Sequence, residues 1–135
     1  MKTSKKHPVR LRRGLLSMEL VFTLPILMVV LFGLFEFSLL FMARGRVVES
    51  SRAGARHASL PGSTPQSVRQ KVRQTLSPRL RERAEVQIER GPQTGDAVSV
   101  TVIVPMRSAS PDLLWPIGYR LQNRYLISTT RMCRE

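Results

Sequence analysis

The apolar positions along this chain fall into three regimes. From Leu20 to Ala43 there are 24 residues, 19 of them apolar, with Glu36 the only charge and no polar face at any helical spacing. A bilayer core of ~30 Å needs about 20 such residues as helix, so the run predicts a membrane-spanning helix. Reading on from Leu15 to Ala58, one Pro (Pro25) and three Gly (Gly33, Gly45, Gly54) occur without a turn cluster. This predicts one continuous helix of 44 residues, ~66 Å long. Pro25 removes a hydrogen bond and is expected to kink it. The apolar character outlasts one span, so Phe37, Leu40 and Phe41 either allow tilt or pack against the outer domain.

In the second regime Leu60-Pro61-Gly62-Ser63 ends the helix. Thr64 caps another, with Pro65 at its first position and Val68, Val72 and Leu76 on one face, until Ser77-Pro78 stops it. The third regime has period two. Ala84, Val86 and Ile88 alternate with polar residues, Gly91-Pro92-Gln93-Thr94-Gly95-Asp96 makes a hairpin loop, and Val98, Val100, Val102 and Val104 lead to Pro105. A Ser- and Pro-rich loop with Trp115-Pro116 comes next, and Tyr125 to Met132 is a third strand with mixed alternation. The expected class is α+β: a long N-terminal membrane-spanning helix, then a small head of one helix and about three antiparallel strands. The head, residues 59–135, is near the size at which a core is marginal alone, so its Val face is expected to pack against the helix extension.

Charge orients this arrangement. The 135 residues carry 22 Lys+Arg against 9 Asp+Glu, a net +13. Lys2, Lys5, Lys6, Arg10, Arg12 and Arg13 precede the apolar run without an acid, whereas Glu49 sits among Arg44, Arg46, Arg52 and Arg56 after it. Positive residues favour the cytoplasmic side, so the N-terminus is expected in the cytoplasm and the head outside. Ala53-Gly54-Ala55 has the small-x-small look of a signal peptidase site, but the apolar run exceeds the ~7–15 residues of a cleaved signal.

The carboxylates near the run invite a functional reading, since a charge in hydrocarbon costs ~2.5–3.5 kcal/mol on insertion scales. Glu36 lies about 20 residues beyond Leu15, near the outer interface, where it is expected to reach water. Glu19 either snorkels beside Arg12 and Arg13 or has a role in the membrane. The order of the N-terminal features bears on that choice: a basic leader, Arg13-Gly14, four residues, Glu19, then the span. A peptide bond after Gly is readily held extended in a protease cleft. A cut at Gly14–Leu15 leaves an ammonium one helical turn from Glu19.

That order resembles the class III signal of type IV pilins and pseudopilins. Met18-Glu19-Leu20-Val21-Phe22, Leu24-Pro25-Ile26-Leu27, Phe32-Gly33-Leu34-Phe35-Glu36-Phe37 and Phe41-Met42-Ala43-Arg44 narrow it, as does Ser51-Arg52-Ala53-Gly54-Ala55-Arg56-His57-Ala58. Together they look like TadE-like proteins of the tight-adherence pilus, and Ser128-Thr129-Thr130-Arg131-Met132 is similar to that family's closing strand. Met18, Leu20 and Cys133 depart from the family's usual residues. The resemblance implies a pilin-like fold and a structural minor pilin or pseudopilin in the inner membrane, serving pilus assembly, surface attachment or secretion. It further implies cleavage of residues 1–14 by a prepilin peptidase. Glu19 would set subunit register by meeting a neighbour's new N-terminus. The implied partners are other pilins or pseudopilins, the inner-membrane assembly platform and membrane lipid.

Competing chemistry is thin. One Cys, two His and two Asp leave no disulfide framework and no metal cluster of the usual spacings. There is no nucleophile elbow or phosphate loop, so no enzyme, cofactor or metal is expected. Arg69, Lys71, Arg73, Arg79, Arg81 and Arg83 form a basic stretch without interleaved aromatics. A solvated face accounts for it better than nucleic-acid binding. A DNA-uptake pseudopilin and an uncleaved single-span envelope subunit are the alternatives. His57 is expected on the surface at the helix end, and Cys133 as a small strand residue.

Overall fold

The computed structural model describes residues 12–93 and 95–134. Most of the basic leader, with Lys2, Lys5, Lys6 and Arg10, therefore lies outside the described residues. Helix α1 runs unbroken over Arg12–Ser59, 48 residues or ~72 Å, with Pro25 inside it. It is the one described helix long and apolar enough to cross a membrane. It starts earlier than expected, so the Gly14–Leu15 bond lies within its first turn.

Two halves of α1 behave differently. From Ser17 to Phe35 every residue but Gly33 is exposed, whereas from Glu36 onward a stripe at 36, 40, 43, 47, 50, 51, 54, 55, 58 and 59 is buried. Those three- and four-residue steps repeat about every 3.5 residues, as a packed helical face requires. The exposed half is 19 residues, ~28 Å long, which matches a hydrocarbon core. Of the surplus apolar residues Leu40 is buried, as packing against the head requires, while Phe41 remains exposed.

The turn after α1 uses Gly62 at φ +80°, a conformation suited to glycine. Helix α2, Pro65–Thr75, begins as the sequence indicates. Thr64 Oγ1 accepts from the Ser67 N–H at 3.2 Å and Ser67 Oγ accepts from the Thr64 N–H at 3.1 Å, a reciprocal cap. Its Val68 and Val72 are buried. A single-turn helix α3, Pro78–Arg81, comes after it and puts Leu80 into the core.

The strands are β1, Glu85–Arg90, β2, Ala97–Pro105, and β3, Tyr125–Cys133, in an antiparallel sheet of order β1-β2-β3. The register pairs Val86 with Val102 and Val100 with Thr130. Val98, Val100, Val102 and Val104 on β2 thus share a face with Val86 and Ile88 on one side and Leu126, Ser128, Thr130 and Met132 on the other. That face meets Ala43, Val47, Ala55 and Ala58 of α1 and Val68 and Val72 of α2 in one core. Arg90 lies on the same face, and its Nη1 donates to the Ser63 carbonyl at 2.7 Å, tying the sheet edge to the α1–α2 turn.

Candidate functional site

Three parts of α1 carry the candidate chemistry: the exposed apolar half with Glu19, the boundary at Glu36, and the small-residue segment 51–58. In the first, Met18, Leu20, Phe22, Ile26, Leu27 and Leu34 are more than half exposed. Contiguous apolar surface on this scale demands lipid or protein around it. Glu19 is exposed on that half, and Thr23 Oγ1 donates to the Glu19 backbone carbonyl at 2.8 Å. Among the described residues no side chain pairs with its carboxylate, and the Arg12 and Arg13 side chains, beside which it would snorkel, lie outside the described ones. Gly14 and Leu15 lie in the helical first turn, so the backbone brings Leu15 and Glu19 one turn apart on one face.

Glu36 corrects the sequence reading. Its side chain is 0% exposed, so it does not reach water directly. The Leu114 backbone N–H donates to its Oε2 at 3.0 Å, while Oε1 is buried without a protein partner. The reason is tertiary: the connection between β2 and β3 folds down over α1, and an acceptor 78 positions away in sequence meets a loop N–H. The covered side chain opens the buried stripe of α1, so Glu36 marks where the free half becomes the packed half.

The 51–58 segment is a packing device. Gly54 is where α1 crosses both α2 and β2. A Cβ built there would stand 2.5 Å from Val72 Cγ2 and 3.1 Å from Val100 Cγ1. Ala55 and Ala58 are fully buried beside it, while Arg52 and Arg56 point outward. Ser51 is buried and its Oγ lies 2.9 Å from Ser128 Oγ and 2.8 Å from Thr130 Oγ1. A hydroxyl cluster therefore joins α1 to β3, where β2 uses valines. His57 is half-buried rather than a free surface residue, with Nε2 3.1 Å from Ser67 Oγ at the capped start of α2. Sequence reasoning missed this link, although a His ending one helix and a Ser opening the next were its visible parts.

The remaining charges among the described residues lie on the surface of the head and of the C-terminal part of α1. Arg52, Arg56, His57, Lys71 and Glu49 line an open groove of ≈ 580 Å³ at the C-terminal end of α1. Arg69, Arg73, Arg79, Arg81 and Arg83 are exposed, which fits a solvated face. Among the described residues no group of three His, Cys, Asp or Glu is placed to hold a metal. Cys133 is a free, exposed thiol at the end of β3.

Residues 14–56 match the family described as TadE-like protein. The match starts at the proposed cleavage glycine and runs through the apolar half, Glu36 and most of the small-residue segment. It bears out the resemblance over that stretch, about a third of the chain. No curated protein and no solved structure matches the chain.

Proposed function

We propose that this protein, carrying a TadE-like segment at residues 14–56, is a single-pass minor pilin or pseudopilin of the tight-adherence pilus. The observation that carries this is the division of α1 at Glu36. Among the described residues, ~28 Å of helix exposed all round except at Gly33 adjoins a stretch with one face packed on the head. The first half has the length of a membrane span and the shape of a filament-packing helix, and the head is held rigidly at its end.

The leader charges put the N-terminus in the cytoplasm and the head outside the inner membrane. A prepilin peptidase cuts between Gly14 and Leu15. Because that bond sits in a helical first turn, the peptidase must first fray the turn. Gly14 eases this, being ~1 kcal/mol less favourable than Ala within a helix. The cut removes six cations, leaving +7, and frees an ammonium at Leu15. The exposed Glu19 of one subunit then pairs with the ammonium of the next, which offsets the cost of an acid in lipid. Other pilins and the inner-membrane assembly platform are the partners, and the role is structural, with surface attachment or secretion performed by the assembled organelle.

The test is Glu19→Ala in the pilus-bearing cell. The variant should be processed and inserted at the normal level while piliation falls. Normal piliation would remove Glu19 from the account.

A further inference from the structure

The connection between β2 and β3 is the part of the head that the pilin reading leaves without a task. It is held tightly. Asp112, at φ +57°, accepts the Leu121 N–H on Oδ1 at 3.2 Å, closing the base of the loop over the buried Leu121. Leu114 is buried, with its Cδ1 4.0 Å from where a Cβ on Gly33 would stand, and its N–H is fixed by Glu36. Tyr119 stacks at a tilt on Phe37, with ring centroids 5.9 Å apart. The segment between these fastenings is a single turn, Trp115–Ile117, closed by Gly118 at φ +88°.

This rigid segment directs its two largest apolar side chains away from the protein. Trp115 is 61% and Ile117 57% exposed, although Leu114 beside them is buried. Their level is set by the contacts of the loop. Ser17 to Glu36 spans ~28 Å of helix, so Gly33, Glu36 and Phe37 stand at the upper edge of a ~30 Å hydrocarbon core. Above Glu36, α1 still exposes Phe37, Phe41 and Met42 over a further ~9 Å. The headgroup region on one side is ~5–7.5 Å deep, so Phe37 and Phe41 lie within it and Met42 just beyond its outer limit. The loop shares this band. Its Tyr119 hydroxyl accepts from Arg124 Nη1 at 3.4 Å, the Arg124 guanidinium lies 4.9 Å from the Tyr119 ring centre, and Arg120 is exposed nearby.

We propose that the turn Trp115–Ile117 is a second membrane anchor, which seats the head on the lipid surface by inserting Trp115 and Ile117 into the outer interfacial region beside the span. Trp and Tyr with adjacent cations are the side chains that settle at that depth. The surface they extend is the one by which α1 meets lipid, so lipid is the occupant the geometry selects. The turn arrives pre-ordered, so insertion costs little further entropy. Covering Glu36 with Leu114 also keeps the carboxylate from facing lipid at this level. The proposal rests on the single-span reading, and the experiment separates the two.

Trp115 is the sole tryptophan of the chain, so its fluorescence in the full-length protein reports this loop alone. The protein is reconstituted into phosphatidylcholine vesicles containing lipids brominated either near the ester carbonyls or near the chain ends. Trp115 emission should be blue-shifted, quenched most by the shallow bromines, weakly quenched by acrylamide, and unchanged as the lipid-to-protein ratio rises. A companion variant, Trp115→Phe with Leu27→Trp, places the probe ~14 Å below Glu36, near the midplane, and should be quenched most by the deep bromines. If that variant is quenched while native Trp115 responds only to acrylamide, the span stands and the anchor is wrong. Shielding from both quenchers that vanishes on dilution into excess lipid would mean that a second copy covers the loop, which also overturns the proposal. Failure of the Leu27→Trp probe to meet any bromine would refute the span and the anchor with it.

Discussion

Gly54→Ala adds one methyl at the closest approach of α1 to the head. The new Cβ would meet Val72 Cγ2 at 2.5 Å and Val100 Cγ1 at 3.1 Å. Contact below about 3 Å forces atoms to move, because packed carbons sit ~3.5–4.0 Å apart. Neither valine yields easily: both are fully buried, Val72 is held near one rotamer by its helix, and Val100 lies on the central strand. Overpacking of this kind costs roughly 1–3 kcal/mol, against a gain of up to ~1 kcal/mol from replacing Gly by Ala in a helix. With the full helix gain the net is a loss of up to ~2 kcal/mol, a fall in Tm of up to roughly 8–16 °C for a domain of this size, and Gly54→Ala should lie ~1–3 kcal/mol below a helical Gly→Ala change without the clash. Gly45→Ala is the matched control, in the same helix with nothing within 4 Å of the added methyl. It should be neutral or stabilising by up to ~1 kcal/mol. Thermal unfolding of the full chain in detergent micelles, monitored by the far-UV signal of the sheet, compares the two. Adding Val72→Ala to Gly54→Ala should cost less than the sum of the single changes, because it removes the blocking methyl. If Gly54→Ala melted at or above Gly45→Ala, the close crossing of α1, α2 and β2 would be refuted.

Named contacts set three further outcomes. Glu36→Gln keeps an oxygen for the Leu114 N–H, whereas Glu36→Leu leaves that N–H unpaired at a cost of ~1–3 kcal/mol; amide exchange at Leu114 should stay slow in the first variant and speed up in the second. Ser51→Ala removes the hydroxyl shared by Ser128 and Thr130, and the melt in micelles should report a loss of ~1–2 kcal/mol. Thr64→Ala breaks the reciprocal cap of α2 and should lower stability by ~1 kcal/mol in the same melt, with Thr64→Ser close to the parent.

The elements that the sequence made legible are those whose pattern is local. The apolar run, the Thr64-Pro65 start of α2 and the four alternating valines of β2 each state their own structure within a few residues. The single turn α3 has the same start as α2, a hydroxyl residue and then Pro at Ser77-Pro78, but only Leu80 faces inward and one residue shows no period. The mixed alternation of β3 reflects the partner it meets. Ser128 and Thr130 occupy core-facing positions because Ser51 supplies hydroxyl contacts there, and that pairing spans nearly 80 residues. Glu36 misled for the same reason. Position along the span put it near an interface, and only the descent of a loop 78 residues later shows that it is covered.

The processing claim concerns a bond whose leader lies mostly outside the described residues, so it is best tested on the protein itself. Intact mass and N-terminal sequence of the chain recovered from its native membrane decide it. The account predicts a mature protein starting at Leu15, with Glu19 as its fifth residue. A chain retaining Met1 or Lys2 would contradict it and leave a plain membrane anchor, and a start near Arg56 would contradict the membrane span as well.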